Sequence, residues 1–158
     1  MLILNTNKTK TQMEKNGTLV REVDLLFISK KVRIIGIAII VGLTLVFFMG
    51  LLVSVNYVNK DFEVFNLISF ILCVMICLPT FFIRKAILKQ INEKNFTSKY
   101  FNAHIIAFAL CDAGGLFCIT TNLFVNQNIV YASVGFAVAI LYMLINFPRV
   151  DDYKKFNI

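Results

Sequence analysis

One carboxylate, four thiols and one imidazole are the side chains in this chain's apolar stretches that could do chemistry. The carboxylate, Asp112, stands in "AFALCDAGGLFC" (107–118), the only formal charge between Tyr100 and Pro148. The cysteines form two pairs at helical spacing, Cys73 with Cys77 and Cys111 with Cys118. His104 falls on the same stripe as Cys111 and Cys118.

Asp112 lies about eight residues, or roughly 12 Å, into its apolar run, too deep for so short a side chain to snorkel. An aspartate near the centre of a spanning helix costs about 2.5–3.5 kcal/mol on insertion scales. Two readings are open. A titrating Asp112 carries a proton or cation; a neutral one staples two helices. Interhelical polar links contribute only about 0.6–2 kcal/mol, so stapling does not clearly offset the cost.

Thiols are soft-metal ligands. Counted from the membrane faces, Cys77 and Cys111 share the inner half of the bilayer, and Cys73 and Cys118 the outer half. No CxxC occurs, and cysteine is also an ordinary small apolar residue of buried helices. No bound metal or cofactor is expected, and His104 reads as an interfacial residue at the cytoplasmic mouth.

Around Asp112 the small residues Ala109, Ala113, Gly114 and Gly115 recur at spacings that let helices approach closely, and Gly135 and Ala139 offer a matching set further on. Pro79 sits inside an apolar run, where it frees the carbonyl of Met75 and kinks a helix. A protonated Asp112 could donate to that carbonyl.

The elements that position these residues follow from composition. The chain has 158 residues, 58% hydrophobic and 16% charged, against about 25% charged in soluble domains. No charge interrupts Arg33 to Lys60 or Glu63 to Arg84. A spanning helix needs about 20 apolar residues, and lipid demands that each segment satisfy its own backbone. The expected fold is an all-α membrane protein with four transmembrane helices, over 34–58, 65–83, 105–125 and 129–147. Asn126-Gln127-Asn128 breaks the last run, giving two antiparallel hairpins.

Lysine and arginine concentrate in the N-terminal arm, in the 84–99 loop and after Pro148, so both termini are expected in the cytoplasm, N-in and C-in, at the cell inner membrane. The net charge of +7 is thereby a topology signal, spread over three segments rather than one nucleic-acid-binding face. Residues 1–33 form a cytoplasmic arm, disordered at first, with a short amphipathic helix at 18–31; residues 148–158 form a cytoplasmic tail. The second span is expected to continue as helix into the loop, supported by Lys89 and Glu93. Phe96, Tyr100 and Phe101 sit where an aromatic belt belongs. "RIIGIAIIVGL" from Arg33 also aligns with "HIIAFALCDAG" from His104, setting Ala38 beside Ala109 and Val41 beside Asp112.

The half running "AHIIAFALCDAGGLFCITTNLF … LYMLINFPRVDDY" resembles a loose family of bacterial four-helix integral membrane proteins of unassigned activity. Asp112 matches their acidic position and Pro148-Arg149 their helix-ending pair. The acidic-small-Gly-Leu run is also similar, over about fifteen residues, to the carboxylate helix of rotary ATPase proteolipids. There the carboxylate sits on the second helix of a hairpin; here it is on the first. The expected function is a small non-enzymatic multi-pass membrane protein, a structural or accessory subunit. The alternatives are an oligomeric proton- or cation-coupled carrier using Asp112, and a metal or redox protein using the cysteines. Expected partners are the lipid bilayer and either copies of itself or other membrane subunits, not nucleic acid.

Overall fold

In the structure, a computed structural model, the chain path is described over residues 3–53, 63–92 and 95–149, with side chains from residue 26 onward. Among these residues there are four α-helices and no strand: α1 (Ile3–Val53), α2 (Glu63–Lys89), α3 (Phe96–Ile119) and α4 (Ile129–Ile145). A π-helical turn, Thr120–Val125, extends α3. Three helices are long and apolar enough to cross a membrane, Leu26–Val53, Val64–Lys89 and Phe96–Val125; Ile129–Ile145 is a shorter apolar helix.

α3 is the central element. It packs against α1, α2 and α4, whereas α1 and α2 do not meet among the described residues. Half of the α3 span is buried inside the protein, against 22% of the α1 span. Its core side chains, Phe108, Cys111, Cys118 and Ile119, meet Leu43 and Phe47 of α1, Cys73 and Cys77 of α2, and Ala139 and Met143 of α4. Phe47 stacks flat on Phe136 of α4, ring centres 4.5 Å apart. Ile34, Ile37, Val41 and Leu45 of α1 and Ile68, Leu72 and Met75 of α2 point outward. Such a surface belongs in lipid rather than water.

The N-terminal region differs from expectation. α1 runs unbroken from Ile3, taking in both the arm expected to be disordered and the amphipathic segment at 18–31. A helix already nucleated by the apolar span extends one bond per residue. The arm offers Lys, Gln, Met, Glu and Leu with no proline, all good helix formers. α2 does continue to Lys89, through Pro79, before the turn to α3. Lys99 closes that turn by donating to the Gln90 side-chain carbonyl at 3.2 Å. The end of the first span at 54–58, Glu93 and the tail from 150 lie outside the described residues.

The connection between the π-turn and α4 spans only residues 126–128. Gln127 takes a left-handed φ of 54°, and the Asn128 side chain caps α4 by accepting from the Tyr131 amide at 3.3 Å.

Candidate functional site

α2 carries one buried polar stripe: Asn66, Ser69, Cys73, Cys77 and Thr80. Their spacings of 3, 4, 4 and 3 keep them on one helix face, over about 21 Å of axis. This face meets α3, its π-turn and α4, and nearly every group on it finds a partner there.

At one end Asn126 donates from Nδ2 to Oδ1 of Asn66 at 2.6 Å, and Asn122 donates to the Ser69 hydroxyl at 2.8 Å. Ser69 in turn donates to the Asn66 carbonyl at 2.9 Å. Asn122 also donates to the Cys118 carbonyl at 2.7 Å and approaches its sulfur at 3.4 Å. The π-turn makes this possible. Thr120 bonds back to the Leu116 and Phe117 carbonyls, the local competition by which threonine loosens a helix. The Asn126 amide bonds the Thr121 carbonyl five residues back. The wider turn brings Asn122 and Asn126 onto the face that already holds Cys118.

Sulfur occupies the middle. Cys73 and Cys118 meet at Gly135, whose carbonyl takes the Cys73 thiol and whose bare Cα lies against the Cys118 sulfur, and Cys77 reaches the Cys111 carbonyl, so the four thiols line one seam between α3 and α2. Each thiol also has a polar acceptor: Cys118 donates to the Tyr131 carbonyl at 3.7 Å, Cys73 to the Gly135 carbonyl at 3.8 Å, Cys77 to the Cys111 carbonyl at 4.0 Å and Cys111 to the Thr80 hydroxyl at 3.6 Å. All four are free and buried. The cross-helix pairs, Cys73 with Cys118 and Cys77 with Cys111, are the ones expected from counting depth along the spans. Among the described residues no three or more His, Cys, Asp or Glu converge as metal ligands.

Thr80 is the junction at the other end. Its hydroxyl donates to the Cys77 carbonyl at 2.6 Å and accepts from the Asn146 amide at 2.8 Å as well as from Cys111. His104 is wholly buried within the bundle. Its Nδ1 lies 2.8 Å from the Asn146 carbonyl, so the hydrogen is on that nitrogen. Phe96, Tyr100, His104 and Phe108 form a ladder of rings one turn apart along α3, and Tyr100 is buried in the bundle rather than facing headgroups. Arg33 of α1 donates to the Pro148 carbonyl at this same end, at 3.3 Å.

Glycines set how close the helices come. A Cβ on Gly135 would overlap the Cys118 sulfur, and one on Gly115 would lie 2.8 Å from Ala139. One on Gly114 would touch the Cys73 carbonyl and Cys77 sulfur at 3.4 Å. Gly114, Gly115, Gly135 and Ala139 thus sit at helix contacts, while Ala109 and Ala113 are exposed.

Asp112 is apart from the polar column. It is half-buried, on the flank of α3 whose neighbouring turns, Phe108 and Gly115, pack on Gly36 and Leu43 of α1. No described hydrogen bond or ion pair involves it, so the bond to the carbonyl freed by Pro79 is not made. Asn66, Ser69, Thr80, Asn122 and Asn146 were not singled out by sequence reasoning, and Asn126 only as part of the polar break. The signal was there for α2, where polar residues share the cysteine stripe.

Comparison with family models, curated proteins and solved structures gives no match. The class defined by the fold is therefore the coarse one, a helical protein with three membrane-capable helices, and the resemblances noted above stand on their quoted residues alone.

Proposed function

We propose that this chain is a small non-enzymatic multi-pass protein of the cell inner membrane, an accessory subunit that packs on other membrane helices through the exposed Ala109–Ala113 edge of α3 beside Asp112. One observation carries the reading: a mid-span carboxyl with no hydrogen-bond or ion-pair partner among the described residues, set between the exposed Ala109 and Ala113. A staple within the monomer requires an internal acceptor or donor. Without one, the roughly 2.5–3.5 kcal/mol insertion cost must be offset from outside, and small residues beside it admit a neighbouring backbone. The polar column does not compete for this role, because it is buried inside the bundle and each of its side chains makes at least one bond there.

In this reading the four helices form two antiparallel hairpins spanning the membrane, with both termini cytoplasmic. Support comes from the ends of the bundle: the Arg33–Pro148 and Thr80–Asn146 bonds gather the start of the α1 span and the ends of α2 and α4 at one level. Reporter fusions at Lys8 and Tyr153 should read cytoplasmic and one at Gln127 external; a periplasmic C-terminus overturns the arrangement.

Affinity purification from native membranes tests the accessory role. Asp112→Leu should abolish co-purification of membrane partners, or self-association, while Asp112→Asn retains it, because an amide still bonds across an interface. A proton- or cation-coupled carrier is the second reading, favoured by the same carboxyl, which no described group bonds. It inverts the ranking: Asp112→Glu would preserve function and Asp112→Asn would abolish it. Partner binding unaffected by Asp112→Leu would remove the proposed docking role.

A further inference from the structure

The thiol seam has a second consequence, independent of the accessory reading. We infer that the Cys73–Cys118 and Cys77–Cys111 pairs are two dithiol sites for a soft divalent cation of the mercuric class, stacked at two depths inside the helix bundle.

Thiolate selects soft metals, and the geometry selects coordination number. Zinc asks for four ligands around one point, which no described group of residues provides. A linear two-coordinate ion asks only for two sulfurs facing each other, and each pair brings one from α2 and one from α3. The charge balance then selects the valence. Binding runs M²⁺ + 2 RSH → M(SR)₂ + 2 H⁺, and the product is neutral. A monovalent ion would leave a net negative dithiolate in an apolar core, and an unpaired buried charge is costly. Asp112, next to Cys111 in sequence, is itself an acid and adds no compensating charge. His104, the one imidazole near the column, is engaged with the Asn146 carbonyl beyond Thr80.

The surroundings suit a neutral sulfur complex. Cys118 lies against the bare Cα of Gly135, and Cys77 beside Gly114, so glycine leaves both sulfurs uncovered by a Cβ on the facing helix. The carbonyls of Gly135, Tyr131 and Cys111 and the Thr80 hydroxyl now accept from the thiols. The two protons displaced per ion leave to the solvent, and these acceptors stay in place without taking up charge. The absence of CxxC, which argued against metal at the level of sequence, is no obstacle, because the ligand pairs form between helices rather than along one.

The test titrates mercuric chloride into the full chain in detergent, following thiolate-to-metal charge-transfer absorbance and released protons. Two ions and four protons per chain are expected. Cys73→Ala should remove one ion rather than half of one, as should Cys118→Ala, and Cys73→Ala with Cys77→Ala should remove both. Ellman's reagent should find four thiols in the unfolded apo chain and none after loading. Zinc at the same concentration should not bind. Four ions per chain, each lost with one cysteine, would mean independent monothiol adducts and overturn the inference. So would no binding, or zinc binding that needs all four cysteines. Should an alanine variant not fold, the ion and proton stoichiometry of the unaltered chain decides alone.

Discussion

Replacing Gly135 with valine should be among the most damaging single substitutions in this protein. The first added carbon already overlaps the Cys118 sulfur, and two methyl groups follow it into the α3–α4 seam. Overpacking of this kind costs about 1–3 kcal/mol, occasionally more. The damage is greater here because the Gly135 carbonyl also accepts from Cys73, so moving α4 outward opens the column as well as the seam. Thermal unfolding in detergent should show Gly135→Val strongly destabilised and Gly135→Ala less so. Adding Cys118→Gly should recover much of the Gly135→Ala loss, since it removes the atom that is struck. The control is Gly42→Val, at a glycine whose Cβ would meet nothing within 4 Å; it should leave stability unchanged. A Gly135→Val protein as stable as the parent would show that the helices do not approach as described.

The contrast between Gly135 and Gly42 also shows what was legible beforehand. Hydropathy alone marks the membrane-capable helices, because long uncharged runs have no other good home. Depth is legible too: a fixed rise per residue pairs Cys77 with Cys111 and Cys73 with Cys118 before any packing is known. Rotation of a helix about its own axis is not. Ala109, Ala113 and Gly115 look alike as small residues, yet only Gly115 faces a neighbour, and Asp112 turns out to lie on the α1 flank rather than among the polar groups. The asparagines were hidden for another reason. Asn126 reads as part of the polar break between two spans and Asn122 as one more position inside a span, whereas the π-turn started at Thr120 carries them inward to Asn66 and Ser69. Such a register shift depends on side-chain back-bonding that apolar periodicity does not record.

Thr80 should prove the energetic centre of the polar column. Its hydroxyl meets a carbonyl of its own helix, a thiol of α3 and an amide of α4, so Thr80→Val, nearly identical in shape, deletes three contacts at once. Asn146 then keeps only the Tyr142 carbonyl as acceptor for its amide, at 2.9 Å, and Cys111 loses its acceptor. A buried group left unsatisfied costs about 1–3 kcal/mol, but interhelical hydrogen bonds inside membranes average nearer 0.6 kcal/mol, with a maximum of about 1.7. The expected loss for Thr80→Val is therefore about 1–2 kcal/mol, with Thr80→Ser close to the parent because the hydroxyl stays. A double-mutant cycle with Asn146→Leu separates packing from bonding. If the Thr80–Asn146 bond joins α2 to α4, the two substitutions together should cost less than their sum by about 0.6–1.7 kcal/mol. Strict additivity, measured by reversible unfolding in mixed micelles, would mean that these side chains sit side by side without holding the helices together.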